Sequence, residues 1–187
     1  MKSFCNLFIS SAREFRNLRT IAITAMFTAI AIVLGFYSFQ ITENIKVGFA
    51  FLANELTALF FGPFVGGIMG GIADILKFIV KPTGPFFPGF TFNAVLGAVI
   101  FGLIVYKKPL SLRRIIVAKV VVTIVCDLFL TTTWLNILYG NPWIPVFLQR
   151  IGKEIIMVPI EITLFWVVAK SLQQALRHSS LSLSEVK

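Results

Sequence analysis

Six long apolar stretches divide this chain, and they restrict its possible folds more than any other feature. A membrane-spanning helix needs roughly 20 predominantly apolar residues, and 57% of the 187 residues are hydrophobic whereas only 13% are charged. A chain of this composition could not bury its apolar surface in a water-soluble core. The sequence therefore predicts an all-α membrane protein with six transmembrane helices in one compact bundle. The stretches are 20–36, 47–61, 64–80, 91–106, 112–134 and 154–172.

Basic residues are distributed unevenly between the two sets of connecting segments. Eleven lie in the segment Lys2–Arg19, in the loop Lys107–Arg114 and in the tail from Lys170, whereas the other loops contain only Lys46, Lys81, Arg150 and Lys153. Because basic residues accumulate on the cytoplasmic side of membrane proteins, both termini are predicted to be cytoplasmic. The chain then divides into a basic cytoplasmic N-terminal segment (1–19), a six-helix membrane-embedded domain (20–175) and a cytoplasmic tail (176–187). Basic residues in these positions argue against nucleic-acid binding.

Catalytic motifs are missing from the sequence. It contains no GxxxxGK[ST] loop, so the chain is not predicted to hydrolyse ATP by itself. The single histidine, His178, lies in the polar C-terminal region, which argues against a histidine-ligated metal site and against Ser-His catalysis. Glu154 and Glu161 share a helix face but lie two turns apart. The sequence therefore predicts a protein that is not an enzyme and that has no cofactor.

Glycines recur at four-residue spacing in GPFVGGIMGGIADILK, which spans residues 62–77. Small residues at positions i and i+4 form a groove that allows a neighbouring helix to approach closely, and close packing drives helix association in lipid. We therefore predict a tight helix interface along this segment. The predicted packing residues are Gly62, Gly66, Gly67, Gly70 and Gly71.

Seven ionisable residues lie within or near the apolar stretches, which is costly in hydrocarbon. A local ion pair between Asp74 and Lys77, three positions apart, would explain only two of them. The predicted topology places several of the seven toward the outer ends of the helices. We therefore predict a polar pocket that opens to the outside. The seven residues are Glu55, Asp74, Lys77, Lys119, Asp127, Glu154 and Glu161.

Two outer loops combine rigid backbone, aromatic rings and amides. The third loop, KPTGPFFPGFTFN, contains three prolines, which exclude a regular helix through most of its length. The fifth, TTTWLNILYGNPWIPVFLQR, repeats the aromatic and amide composition. Aromatic faces and a few polar groups are typical of a pocket for a flat heterocycle, although an interfacial aromatic belt would have a similar composition. The predicted pocket residues in these loops are Phe86, Phe87, Phe90, Asn93, Trp134, Asn136 and Tyr139.

The motif FFGPFVGGIMGGIADILKF, in a chain with a basic N-terminus and six apolar stretches, resembles the substrate-binding S components of energy-coupling-factor (ECF) vitamin transporters. Its FGP..GG..GGIAD core is specific to the superfamily rather than to a substrate. KPTGPFFPGFT and WLNILYGNP resemble the folate-specific member of that superfamily. The resemblance covers roughly residues 15–175.

The resemblance implies partners as well as a ligand. An S component binds one vitamin near its outer face, and it works with a transmembrane coupling subunit and two cytoplasmic ATPase subunits that supply ATP hydrolysis. S components use an AxxxA motif for coupling, and the first stretch contains Ala25 and Ala29 at that spacing, with Ala22 on an adjacent part of the face. We expect these alanines to dock on the coupling subunit; an interface within the bundle is the alternative.

Folate suits the charges of the predicted pocket. A carboxylate can bind the donor edge of its pterin bidentately, and the candidates are Glu55, Asp127 and Glu154. Its glutamate moiety is anionic, which suits basic residues near the pocket mouth, with Arg150 or Lys153 expected near it. Cationic thiamine would require more acidic residues there.

Other functions compete with folate binding. An S component for another vitamin, such as riboflavin or thiamine, is the nearest alternative. A structural membrane subunit that does not transport, and that binds no small molecule, is an alternative from a different class. A channel would require a continuous polar stripe across several helices, whereas the predicted inner halves are nearly all apolar apart from Lys119.

Overall fold

The computed structural model describes residues 2–42, 45–82 and 84–178, and this part of the chain is a bundle of long apolar helices. Five of its helices are long and apolar enough to cross a membrane: α2, α3, α4, the continuous rod Leu112–Tyr139, and α7. The predicted all-α membrane fold is thereby confirmed. The elements are α1 (Lys2–Glu14), α2 (Leu18–Phe36), β1 (Phe39–Thr42), β2 (Ile45–Val47), α3 (Phe51–Val80), α4 (Pro88–Val105), α5 (Leu112–Val122), a π-helix (Thr123–Leu130), α6 (Thr131–Tyr139) and α7 (Trp143–His178). Residues 179–187 of the predicted tail and the side chain of Lys46 lie outside the described part.

Helix α3 consists of two segments joined by a sharp break at Gly62. The backbone there has φ 90° and ψ −177°, and a positive φ favours glycine because it has no Cβ to clash. A Cβ on Gly66 would lie only 2.9 Å from the Cα of Ala58. Positions four residues before and four residues after the break are therefore in contact, and segments 51–61 and 63–80 pack antiparallel. They correspond to the second and third predicted stretches, which makes six apolar helical segments in the described part of the chain.

The second segment of α3 packs closely on α4 through small residues. A Cβ on Gly70 would lie 2.8 Å from the backbone oxygen of Ala94, so the two backbones approach too closely for any larger residue. Gly67 and Gly71 face Val95 of the same helix. The five glycines for which the sequence predicts a packing role are all buried.

The fifth predicted loop is mostly helical. Helix α6 extends to Tyr139 and ends at Gly140, whose φ of 67° is left-handed, and α7 begins at Trp143. The predicted boundaries at 134 and 154 were therefore wrong, and Arg150 and Lys153 lie in the first turns of α7 rather than in a loop. In the first loop, β1 and β2 pair as an antiparallel hairpin.

The main apolar core lies between the first segment of α3, α4, α5 and the second half of α7. Phe101 and Phe165 are both fully buried at its centre, with their rings edge-to-face and centroids 5.1 Å apart. This core packs four helical segments of the bundle against one another.

Candidate functional site

One end of the bundle contains a cavity of about 440 Å³. It lies between the ends of α2 and α3, the loop that precedes α4, the π-helix and the first turns of α7. Ligand pockets are typically about 300–1,000 Å³, so this cavity has room for a small organic molecule. Eight residues predicted to bind a ligand line it: Phe86, Phe87, Phe90, Asn93, Asp127, Tyr139, Arg150 and Lys153.

Aromatic rings form one wall of the cavity. The Phe87 ring packs on Phe90 and on Trp134, with centroid separations of 5.9 and 5.6 Å, and Phe86 packs on Phe78 at 5.1 Å. Such edge and tilted contacts fix the orientation of each ring. The prolines that flank this loop exclude helix there, and α4 starts at Pro88, where the missing amide hydrogen is not needed. The wall can therefore present ordered flat faces to a planar ligand.

Asn93, in the second turn of α4, joins three groups on the neighbouring helix. Its amide nitrogen donates to the backbone oxygen of Cys126 at 3.2 Å and to the hydroxyl of Thr131 at 2.9 Å, and its oxygen accepts from the indole nitrogen of Trp134 at 3.1 Å. The Thr131 hydroxyl in turn donates to the Cys126 oxygen at 2.8 Å. Asn93 therefore holds the aromatic wall and the π-helix in one arrangement.

The π-helix places Asp127 at the cavity. In a π-helix each backbone carbonyl pairs with the amide five residues further on, and such turns are frequent at functional sites. Arg150 also bonds this backbone, since its Nε donates to the backbone oxygen of Asp127 at 2.8 Å. One turn further along α7, Lys153 pairs with Glu154 at 2.9 Å. This side of the cavity therefore contains charges of both signs around a lining carboxylate.

A second pair of charged residues, Asp74 and Lys77, lies on the other side of the start of α4. Neither was among the binding residues predicted from the sequence. Asp74 accepts a 2.9 Å hydrogen bond from Thr91 and pairs loosely with Lys77 at 3.9 Å, and both Asp74 and Lys77 line the cavity. Thr91 and Asn93 are two positions apart on one helix, so they point in roughly opposite directions. The polar character of Asp74 and Lys77 was visible in the sequence; their position relative to the π-helix was not.

Lys81 also lines the cavity, but its ammonium group already has partners. Its Nζ donates to the backbone oxygens of Phe36 at 2.8 Å and Ser38 at 3.3 Å. These bonds connect the end of α3 to the end of α2.

Three predicted binding residues do not line the cavity. Trp134 lies behind Phe87 and bonds Asn93, as described above. Asn136 donates to the backbone oxygen of Asn141 at 2.6 Å, which closes the turn between α6 and α7. The Glu55 carboxylate is bound to Lys119 inside the bundle.

The three alanines of the predicted coupling motif are exposed on α2. Ala22, Ala25 and Ala29 face outward, whereas Thr24 and Ala31 of the same helix are buried. Ala31 packs against α3. The described part of the bundle therefore leaves the AxxxA face uncovered.

The fold and the cavity together define a class: a multi-pass membrane protein with a solute-sized site at one end of its helices. Comparison with known proteins identifies the family. The model of the substrate-specific component of ECF transporters matches residues 19–169, and this chain belongs to that family.

Individual relatives agree with this assignment. The chain is 38% identical over 135 residues to a "Folate transporter FolT" of Clostridium novyi, covering 72% of this chain and 78% of the relative. It is 30% identical over 169 residues to a "Folate transporter FolT" of Leuconostoc mesenteroides subsp. mesenteroides, covering 87% and 89% respectively. A crystal structure of FolT bound with folic acid matches with a TM-score of 0.77 at 30% identity, over 83% of this chain and 95% of that one.

Proposed function

We propose that this protein is the folate-binding S component of an ECF-type vitamin uptake transporter. The observation that carries the proposal is the match in fold and sequence to FolT in its complex with folic acid. The two curated relatives described above are also folate transporters. The cavity adds independent chemical support, since it combines an aromatic wall with lining groups of both charges.

Folate has two chemically different ends, and the cavity offers a suitable group for each. The pterin is planar and has a donor edge that a carboxylate can bind with two charge-assisted hydrogen bonds. We place this edge at Asp127, because Glu55 is bound to Lys119 and Glu154 is bound to Lys153. The aromatic wall then packs on the pterin or aminobenzoyl ring.

The glutamate of folate is an anion and requires a cation at the other end of an extended ligand. Arg150 lies next to Asp127. If the pterin binds at Asp127, the glutamate at the other end of the extended ligand lies away from Arg150. Lys77, beside Thr91 and Asp74 on the other side of α4, is the basic residue in the better position. Arg150 and Lys153, which sequence reasoning assigned to the glutamate, are the rival candidates.

Energy for uptake comes from partner subunits in this proposal. The sequence contains no phosphate-binding GxxxxGK[ST] loop, so a transmembrane coupling subunit and two cytoplasmic ATPase subunits are required to drive transport. The exposed AxxxA face of α2 is the proposed contact with the coupling subunit, since small residues one turn apart permit close helix approach.

Both termini are proposed to lie in the cytoplasm, so that the cavity opens outside. A pair of exposed prolines tests this: Pro142, in the turn between α6 and α7, and Pro109, in the turn between α4 and α5. With Cys5 and Cys126 replaced by alanine, an impermeant thiol reagent added to whole cells should label Pro142→Cys and not Pro109→Cys. The reverse labelling would contradict the proposed orientation.

Transport itself is tested by co-expression with an ECF module in cells that lack folate uptake. We expect labelled folate to accumulate only when the chain and an active ATPase pair are both present. Excess unlabelled folate should compete, whereas equal excesses of riboflavin and thiamine should not. Competition by riboflavin or thiamine instead would indicate a different vitamin, and binding of none of them would favour a structural subunit.

A further inference from the structure

Three charged side chains meet inside the bundle, below the cavity. Lys119 Nζ lies 2.5 Å from Glu55 Oε1 and 2.8 Å from Glu161 Oε2. Glu55 belongs to the first segment of α3, Lys119 to α5 and Glu161 to α7, so the triad connects three membrane helices. The side chains of Lys119, Glu55 and Glu161 are only 6%, 8% and 15% exposed.

The surroundings of the triad are apolar. Leu52 and Leu56, which flank Glu55 on its helix, and Ala118, next to Lys119, belong to the main apolar core. Lys119 Nζ also lies 4.2 Å from the centroid of the Phe51 ring. Phe51 is also one of the residues that line the cavity. A charge in such a position is costly unless it is paired and hydrogen-bonded.

The charges of the triad do not balance. With both carboxylates ionised, two negative charges share one ammonium group. Glu55 and Glu161 are the acids and Lys119 the base that the ion pairs of this group join. Glu55 Oε2 is fully buried and has no hydrogen-bond donor among the described residues. An ionised Glu55 would therefore leave one charged oxygen unsatisfied and one net negative charge in an apolar region.

We propose that the triad binds one proton at neutral pH and is therefore electrically neutral. The free oxygen of Glu55 is where the proton would reside, because that carboxyl is the more deeply buried of the two and has no hydrogen-bond donor on that oxygen among the described residues. Glu161 then forms the ionised partner of Lys119, and the neutral Glu55 acid accepts from Lys119 through Oε1. This proton site is separate from the ligand cavity and does not depend on which vitamin the cavity binds.

Each variant of the triad should bind a definite number of protons. Neutrality requires one protonated carboxyl for each carboxylate in excess of lysine. The wild type should therefore contain one protonated acid at this site, Glu55→Gln and Glu161→Gln none, and Lys119→Met two. Glu161→Gln is the informative case, because it should release the proton from a residue that was not changed.

Infrared spectroscopy of the purified, detergent-solubilised protein at neutral pH tests this, because the C=O stretch of a protonated carboxylic acid is resolved from ionised carboxylates and shifts in D2O. Intensity in this band should fall by one acid in both glutamine variants and rise by one in Lys119→Met. Asp74→Asn is the matched control, since Asp74 pairs with a single lysine and its loss should leave the band unchanged. Thermal unfolding of each variant checks that it is folded.

If Lys119→Met does not fold, either glutamine variant still tests the proposal. An unchanged band in Glu55→Gln and in Glu161→Gln would overturn the proposal. Loss of the band in Glu55→Gln with retention in Glu161→Gln would also overturn it, because the proton would then not be set by the charge balance of the triad.

Discussion

The hydroxyl group of Ser11 donates a 2.6 Å hydrogen bond to the backbone oxygen of Phe61, fifty positions further along the chain. The same oxygen atom of Ser11 accepts from the backbone nitrogens of Phe64 at 3.1 Å and Val65 at 3.2 Å. These backbone groups flank the break at Gly62, where neither segment of α3 can supply an intrahelical partner. One side chain of α1 therefore caps both segments of the α3 hairpin.

Replacing Ser11 with alanine should lower the stability of the bundle. Buried backbone groups left without partners cost about 1–3 kcal/mol, so we expect the free energy of unfolding of Ser11→Ala to fall by that amount in a chemical denaturation series. Ser10→Ala is the control, since Ser10 bonds Lys107 at an exposed site. Equal stability of the two variants would show that α1 does not cap the break.

Asn93 is expected to act on the ligand through the groups it holds. Its three hydrogen bonds fix Trp134 and the π-helix, so Asn93→Ala should weaken folate binding by about tenfold, equivalent to about 1.4 kcal/mol. The control is Thr133→Ala on α6, because the exposed Thr133 hydroxyl donates to the backbone oxygen of Phe129 rather than to a group that Asn93 holds. Titration of both purified variants checks this, and wild-type affinity in Asn93→Ala would exclude a positioning role.

The position of the folate glutamate can be tested with pteroate, which is folate without that group. Loss of a charged hydrogen-bond partner costs about 1.5–3 kcal/mol, so Lys77→Met should weaken folate binding at least tenfold and leave pteroate binding nearly unchanged. Lys153→Met is the matched variant, because Lys153 is already paired with Glu154. A selective loss of folate binding in Lys153→Met instead would assign the glutamate to the α7 side.

The exposed alanines of α2 should be needed for transport and not for binding. Ala25→Trp and Ala29→Trp would block close approach of a partner helix, so uptake with a co-expressed ECF module should fail while folate binding by the isolated protein is retained. Ile23→Trp, an exposed position on the opposite side of α2, is the control and should support both. Loss of binding in the isolated alanine variants would indicate an internal interface.

Hydropathy was sufficient to predict the fold because a bilayer requires long apolar helices with internally paired backbones. Eight cavity-lining residues were also predictable, since aromatic, amide and charged side chains near the ends of apolar stretches have few structural explanations. The boundary of α7 was missed because Arg150 and Lys153 interrupt its apolar pattern; they point into the bundle rather than into a loop.

The remaining errors concern contacts between distant parts of the chain. Glu55 and Lys119 are 64 positions apart, and hydropathy alone does not indicate which buried acid pairs with which base. Hydropathy does not indicate the π-helix either, whose backbone oxygens accept hydrogen bonds from Asn93 and Arg150 on other helices. The pairing of Glu55 with Lys119 explains why Glu55 was wrongly expected at the ligand. Asp74 and Lys77 were among the ionisable residues that predicted a polar pocket, but they were not predicted as binding residues.

The central claim is that this protein binds folate in the cavity beside Asp127, and calorimetric titration of the purified protein with folate tests it most directly. We predict one folate per chain, at least tenfold weaker binding in Asp127→Asn from loss of a charged hydrogen-bond partner, and near wild-type binding in Glu55→Gln. Absence of folate binding by the folded wild type would contradict the account, and equal affinity of Asp127→Asn and the wild type would contradict the proposed site.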